Sequence, residues 1–305
     1  MRNEFANTVT ELAMSEKELV LLAGDIGNKL FDKFKEQCPE RFYNCGVAEA
    51  NMTGVASGLA ASGLRPITYT ITPFNTARCF EQIRLDVCYP NHPVIIVGTG
   101  AGLSYASLGA THHSMEDIAI LRTLPNLQIV CPGDPVEVRQ AINKSYKSKL
   151  PTYIRLGKKG EPNIHRDIPE FVIGKSIYIE RGQAVSLISV GNVLGLANEC
   201  WIELKQKNIN ADLISMHTVK PLDIDLLEEL FKSNKIVVLI EEHGLVGGAG
   251  SAVLEWANAS GYNTKDFLRF GGPDMFLTGC GNQFEAREYI GLSKINIINS
   301  ILEAL

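Results

Sequence analysis

The sequence predicts an α/β protein made of two doubly wound domains with mostly parallel sheets. Three observations lead there. Short β-branched apolar runs alternate with amphipathic stretches, the runs end in turns containing Gly or Asp, and the alternation breaks once, in "GKKGEPNIHRDIPEFVIGKS", before restarting. Short apolar runs bounded by breakers read as strands buried on both faces. Helical crossovers between parallel strands are what cover both faces.

In chain order, "ELVLLAGDIG", "RPITYTITPF", "PVIIVGTGAG", "LQIVCPGDP" and "PTYIRLG" read as the strands of the first domain. Before the second of these, "AEANMTGVASGLAAS" has Met52, Val55, Ala56, Leu59 and Ala60 at helical spacing, which predicts a helix with that face buried and Glu49 in its first turn. Gly54 and Gly58 would let another backbone come close. "DPVEVRQAINKSYKS" predicts a helix with Asp134 as N-cap and Pro135 at its first position. The Gly, Pro and charge of the interrupting segment predict a linker near residues 158 to 180, dividing the chain into domains 1–170 and 171–305. "AVSLISVG", "ADLISMHTVKPLD", "KIVVLIEEHG" and "DFLRFGGPD" are the strands of the second, smaller domain.

Bulk properties narrow the function. The chain has 305 residues, 45% of them hydrophobic and 21% charged, an ordinary globular composition with room for two domains. Its net charge of −5, with no basic run, argues against nucleic acid as the main partner. No apolar stretch is long enough for a membrane span, and charges interrupt the apolar positions of the first 24 residues, so neither a span nor a signal peptide is expected. The seven cysteines have no CxxC spacing and their number is odd, which suits free thiols in a reducing cytoplasm.

Glu49 is the only charged residue in a long run of small and apolar ones. By itself it reads as a helix-start carboxylate, favoured by the unpaired N–H groups and dipole of the first turn. Its surroundings add a second reading. "GVAEANMTGVASGLAASGLRPI", "TPFNTARCFEQIRLDV", "GATHHSMEDIAILRTLPNLQIVCPGDPVE" and "HTVKPLD" followed by "EEHGLVGGAGSAV" resemble, in the same order, the C-terminal half shared by transketolase and deoxyxylulose phosphate synthase, enzymes dependent on thiamine diphosphate. The resemblance spans essentially the whole chain.

That resemblance implies roles for particular residues. Glu49 would hydrogen-bond the cofactor's aminopyrimidine and promote the imino tautomer through which the thiazolium C2 proton is lost, so it is assigned as catalytic and cofactor-binding. Phe74 is similar to the aromatic that stacks on the pyrimidine, and Arg78 of the same block is assigned with it to the cofactor; a core role is the alternative for Phe74. His112 matches a loop His that faces the reacting sugar or its phosphate and is assigned as catalytic and substrate-binding, with His113 beside it as substrate-binding. The spacings His112/Glu116 and His113/Asp117 would also suit a metal, but the family holds its metal elsewhere, and none is assigned to this chain. Arg155 resembles an Arg after a strand that grips a substrate phosphate, with a salt-bridged structural Arg as the alternative.

Departures from the family pattern limit what carries over. Leu108 stands where an acidic residue is usual, and "GTGAG", residues 98 to 102, stands where relatives have a basic or imidazole group. That loop is not a dinucleotide fingerprint, because Leu103 takes the place of the third glycine. "AGDIG" with Asn51 imitates the family's diphosphate and Mg²⁺ motif, but Ile26 replaces the required Gly. The expectation is therefore the C-terminal subunit of a split transketolase. A separately encoded N-terminal subunit would hold the diphosphate and Mg²⁺, the assembly would be a dimer of heterodimers, and the substrates would be sugars or sugar phosphates. The alternatives are the beta subunit of a 2-oxo acid dehydrogenase decarboxylase component and a non-catalytic scaffold of the same fold.

Overall fold

The computed structural model describes residues 1–27, 29–233 and 235–305. The first half of the chain runs through α1 (Arg2–Ser15), β1 (Leu19–Ala23), α2 (Asp32–Gln37), β2 (Phe42–Asn44), α3 (Glu49–Ala61), β3 (Arg65–Ile71), α4 (Thr72–Asn75), α5 (Phe80–Gln82), β4 (Ile95–Thr99), α6 (Asp117–Leu121), β5 (Gln128–Val130), α7 (Pro135–Ser148) and β6 (Thr152–Leu156). The second half runs through β7 (Ile177–Glu180), β8 (Val185–Val190), α8 (Leu194–Gln206), β9 (Ala211–Ser215), β10 (Thr218–Lys220), α9 (Ile224–Lys232), β11 (Ile236–Gly244), α10 (Ala249–Ala259), β12 (Phe267–Gly272), α11 (Gln283–Tyr289) and α12 (Lys294–Ala304).

Two mostly parallel sheets result, with strand orders β10-β5-β6-β4-β3-β1-β2 and β12-β11-β8-β9-β7. Every residue of β1, β4, β6, β8 and β9 is buried, as continuous apolar runs require when helices cover both faces of a sheet. Asp134 caps α7 by accepting from the Glu137 N–H at 2.9 Å, and Pro135 opens the helix, both as the sequence predicts. All seven cysteines are unpaired.

Three features differ from expectation. "ADLISMHTVKPLD" is two strands: β9 stays in the second sheet, while β10 crosses over and pairs antiparallel with β5 at the edge of the first. The chain changes sheet at Met216 and His217, where Met216 N–H donates to Ser189 O and Cys131 N–H donates to His217 O. The segment expected as a linker is also tied down. Phe171 is buried against Val130 and Ala141 and stacks on the His217 ring with centroids 3.7 Å apart, and β7 pairs with β9.

The third difference concerns α3. Its buried residues are Glu49, Met52, Thr53, Ala56, Ser57 and Ala60, whereas Val55 is 42% exposed. A count of apolar residues alone rotates the face, because three polar side chains turn inward at four-residue intervals. Thr53 Oγ1 donates to Glu49 O at 3.0 Å and Ser57 Oγ to Asp86 O at 2.6 Å, so two of the three meet acceptors. A Cβ at Gly54 or Gly58 would meet nothing, so the close backbone approach expected there is not made within this chain.

Candidate active site

The carboxyl ends of β1, β3, β4 and β6 and the first turn of α3 converge on one edge of the first sheet, the edge at which open α/β sheets bind ligands. Glu49 is 2% exposed there. Its Oε2 accepts from Arg78 Nη1 at 2.6 Å, and among the described residues no donor meets Oε1. Gly24, just after β1, packs closely between Glu49 and Thr70: a Cβ at Gly24 would press on Thr70 Oγ1 at 3.1 Å and on Glu49 Cγ at 3.2 Å. Among the described residues the buried Thr70 hydroxyl has no partner either.

From Glu49 a continuous row of side chains leads away. The Arg78 guanidinium lies over the Phe74 ring at 4.5 Å, and the Phe74 ring meets His112 edge-on with centroids 5.2 Å apart. His112 in turn lies 6.1 Å from the Tyr105 ring, and Lys158 Nζ sits over Tyr105 at 4.2 Å. The structure therefore gathers Glu49, Phe74, Arg78 and His112 into one row of contacts, although they are widely spread along the sequence.

Tyr105 and Lys158 are additions that sequence reading missed. The signal for Lys158 was present: it follows the strand "PTYIRLG" directly, where a side chain can turn out over the strand end, whereas residues within the strand are enclosed by the sheet's covering layers. Burial and the neighbouring Lys159 and Arg2 charges hold the Lys158 ammonium below the usual lysine range.

Arg155 is a correction. It lies within β6, is 2% exposed, and its guanidinium is committed inside the protein. Nε donates to Asp117 Oδ2 at 2.7 Å, and Nη2 reaches Ser114 O at 3.0 Å and Glu242 O at 2.9 Å. Tyr153 donates its hydroxyl to the same Asp117 carboxylate at 2.6 Å. Burial works against the charge on Asp117, yet Arg155 and the hydrogen bonds outweigh it and hold the carboxyl below its usual range. The substrate-phosphate role expected of Arg155 is therefore replaced by a structural one.

His113 is also displaced from its expected role. It is buried, with Nε2–H donating to Ala106 O at 3.1 Å, and it lines a cavity of about 460 Å³ with Met115, Leu245, Met275 and Phe276, which is not where Phe74 and Glu49 lie. The glycines of "GTGAG" have packing reasons. A Cβ at Gly98 would meet Thr72 Oγ1 at 2.9 Å, one at Gly100 would strike the Tyr105 ring, and one at Gly102 would strike the Glu242 carboxylate. Gly100 and Gly102 also have φ of +77° and +62°, a region L side chains rarely adopt.

His112 is half-buried, and burial first, then the adjacent His113, lowers its pKa from 6.5. A lowered value keeps the imidazole neutral to a lower pH than a free one, so at neutral pH it is ready to accept a proton. An NMR titration of the His112 ring is expected to give a midpoint below 6.5; a midpoint at or above that value would contradict this environment.

Comparison with known proteins follows the same lines. The family description "Transketolase, pyrimidine binding domain" matches residues 1–161 and "Transketolase, C-terminal domain" matches residues 174–297. One of the subunits of an apulose-4-phosphate transketolase from Phocaeicola vulgatus is 32% identical over 99% of this chain and 96% of its own length. A 6-deoxy-6-sulfo-D-fructose transketolase subunit of Clostridium sp. is 33% identical over 84% of this chain and 80% of its own. A solved structure described as a split gene transketolase, inactive beta4 tetramer, matches with a TM-score of 0.88 and 32% identity, covering 100% of this chain and 97% of that one.

Proposed function

The chain belongs to the transketolase family, and from that premise we propose that it is the pyrimidine-side subunit of a two-subunit, cytoplasmic transketolase, moving a two-carbon ketol unit from a ketose donor to an aldose acceptor. The observation that carries this reading is the buried Glu49 carboxylate, with one oxygen held by Arg78 and the other meeting no donor among the described residues, joined through Arg78 to Phe74 and His112.

These residues fit the aminopyrimidine end of thiamine diphosphate. The open Oε1 of Glu49 offers an acceptor or proton carrier to a ring nitrogen, the Thr70 hydroxyl, without a partner among the described residues, adds a polar group beside it, and Phe74 offers an aromatic surface. When bound, the cofactor supplies the carbon nucleophile that takes up and returns the ketol unit. Glu49 holds and returns the proton at the pyrimidine, with Arg78 fixing its rotamer. His112, neutral at working pH, exchanges a proton with a substrate oxygen. The diphosphate and Mg²⁺ are assigned to a separately encoded N-terminal subunit in a dimer of heterodimers. In support, the apulose-4-phosphate enzyme's chain is named as a subunit, and the solved beta4 tetramer of a relative is described as inactive.

The substrate class is a sugar carrying an anion at the end remote from the ketol group. Lys158 stands beyond Tyr105 with Arg2 and Lys159 near it, and a phosphate there would relieve the repulsion that, after burial, depresses the Lys158 pKa. Both transketolase relatives described above are named for sugars with such a group, a phosphate in one and a sulfonate in the other. The test is reconstitution. The chain alone is expected to bind thiamine diphosphate weakly and to turn over no ketose phosphate, and adding the N-terminal subunit restores ketol transfer. Tight, Mg²⁺-dependent calorimetric binding by the chain alone would overturn the two-subunit reading, and release of CO₂ from a 2-oxo acid would put the decarboxylase alternative in its place.

A further inference from the structure

We propose that the second domain takes part in catalysis through Glu242, a positioning residue that fixes the loop on which His112 is carried; this rests on the proposed role of His112. The loop leaves the first sheet after β4 and is closed at its base by a reciprocal pair, Gly102 N–H to Ser114 O at 3.1 Å and Ser114 N–H to Gly102 O at 2.9 Å. At that base the Leu103 N–H donates across the domain boundary to Glu242 Oε1 at 2.7 Å.

Glu242, on β11, is fully buried, and donors from its own domain aim its carboxylate. Asn192 Nδ2 donates at 3.1 Å, Gln283 Nε2 at 2.8 Å, and Arg287 Nε pairs with Oε2. Gln283 also reaches Ser104 Oγ, inside the loop, at 3.3 Å. The Glu242 carbonyl accepts from Arg155, which holds Ser114 from the other side. Gly102 packs so tightly on Glu242 that no side chain fits between them. Both ends of the loop base are thus gripped by one residue of the second domain, directly at Leu103 and through Arg155 at Ser114.

What the grip controls is the pair of rings just inside that base, Tyr105 near Gly102 and His112 near Ser114. Tyr105 and His112 face each other, Thr111 Oγ1 and His112 Nδ1 share a hydrogen bond at 2.9 Å, and together these set the His112 ring against Phe74. Burying a carboxylate is costly unless donors surround it. A contact that only glued two domains together could be apolar; this one directs a charge at a single backbone N–H. The strand supplying it is fully used: Glu241 caps α10 through the Ala249 and Gly250 N–H groups, and Gly244 N–H meets Met115 O at 2.7 Å.

The test compares the full chain with Glu242→Gln, which keeps the shape but presents an amide to a ring of donors, and with the milder Gln283→Ala. In Glu242→Gln, amide exchange in peptides covering residues 102–114 is expected to quicken by at least about tenfold, as loss of a charge-assisted hydrogen bond implies, with β3 and β4 peptides unchanged. Gln283→Ala moves the same peptides by less. The His112 titration midpoint moves upward as the loop loosens and the ring gains solvent. In the reconstituted enzyme kcat falls while KM for the ketose changes less. Unchanged loop exchange and an unchanged His112 midpoint in both variants, or faster exchange spread evenly over the chain, would make Glu242 a domain tie and nothing more. Exchange and titration are measured on the chain itself, so they decide the matter whatever reaction the reconstituted enzyme performs.

Discussion

Glu49→Gln in the reconstituted enzyme is expected to lower kcat by at least ~10² with subunit association intact. The carboxylate's only partner among the described residues is Arg78, whose side chain is 48% exposed. Solvent screens a pair of that kind, so losing it costs at most about 1 kcal/mol, and Gln can still accept from the guanidinium. Stability and turnover therefore separate cleanly. Exchange of the cofactor's C2 proton for deuterium, followed by NMR of quenched samples, should slow in parallel with kcat. Exchange and turnover like the wild type would return Glu49 to a helix-start role and require another group to activate the cofactor.

Arg155→Ala has the opposite profile. Its removal leaves Asp117, 2% exposed, without its cation inside the protein, and breaking a buried pair in this way costs about 3–5 kcal/mol. A large fall in the denaturant midpoint is expected. Replacing Asp117 by Asn in the Arg155→Ala background should recover part of the loss, because the uncompensated charge is then gone. A variant that unfolds like the wild type but shows a raised KM for phosphorylated substrate alone would restore Arg155 to the substrate site.

The fold was legible because periodicity and breakers report directly on burial. The predicted first-domain runs contain β1, β3, β4, β5 and β6, and the Asp134 and Pro135 signals mark the start of α7. β2 and β10 were not separately legible: Phe42–Asn44 is partly exposed and has no apolar run, and β10 follows β9 after only Met216 and His217, so the two read as one strand. The inward turn of Thr53 and Ser57 escaped for a different reason: a polar residue on a helix declares nothing about its face until its acceptor is known. Glu49, Phe74, Arg78 and His112 were found by family resemblance rather than by spacing, and the structure brings them together. Arg155 misled because it carries the right chemistry but sits inside a strand, whereas Lys158, past the strand's end, lies over the Tyr105 ring. Glu242 was invisible because its meaning lies in a partner 139 residues away.

The crossing of β10 into the first sheet bears on how such chains can be recombined. A chimera joined at residue 170, with its second half taken from a relative, would hand the first sheet a foreign edge strand, and register would depend on whether that strand still matches Ile129 and Val130. With no strand supplied, the N–H and C=O groups of β5 would stand open as a template for unwanted pairing. Exchange of the second half therefore has to treat β5 and β10 as one inherited unit, although they lie on opposite sides of residue 170.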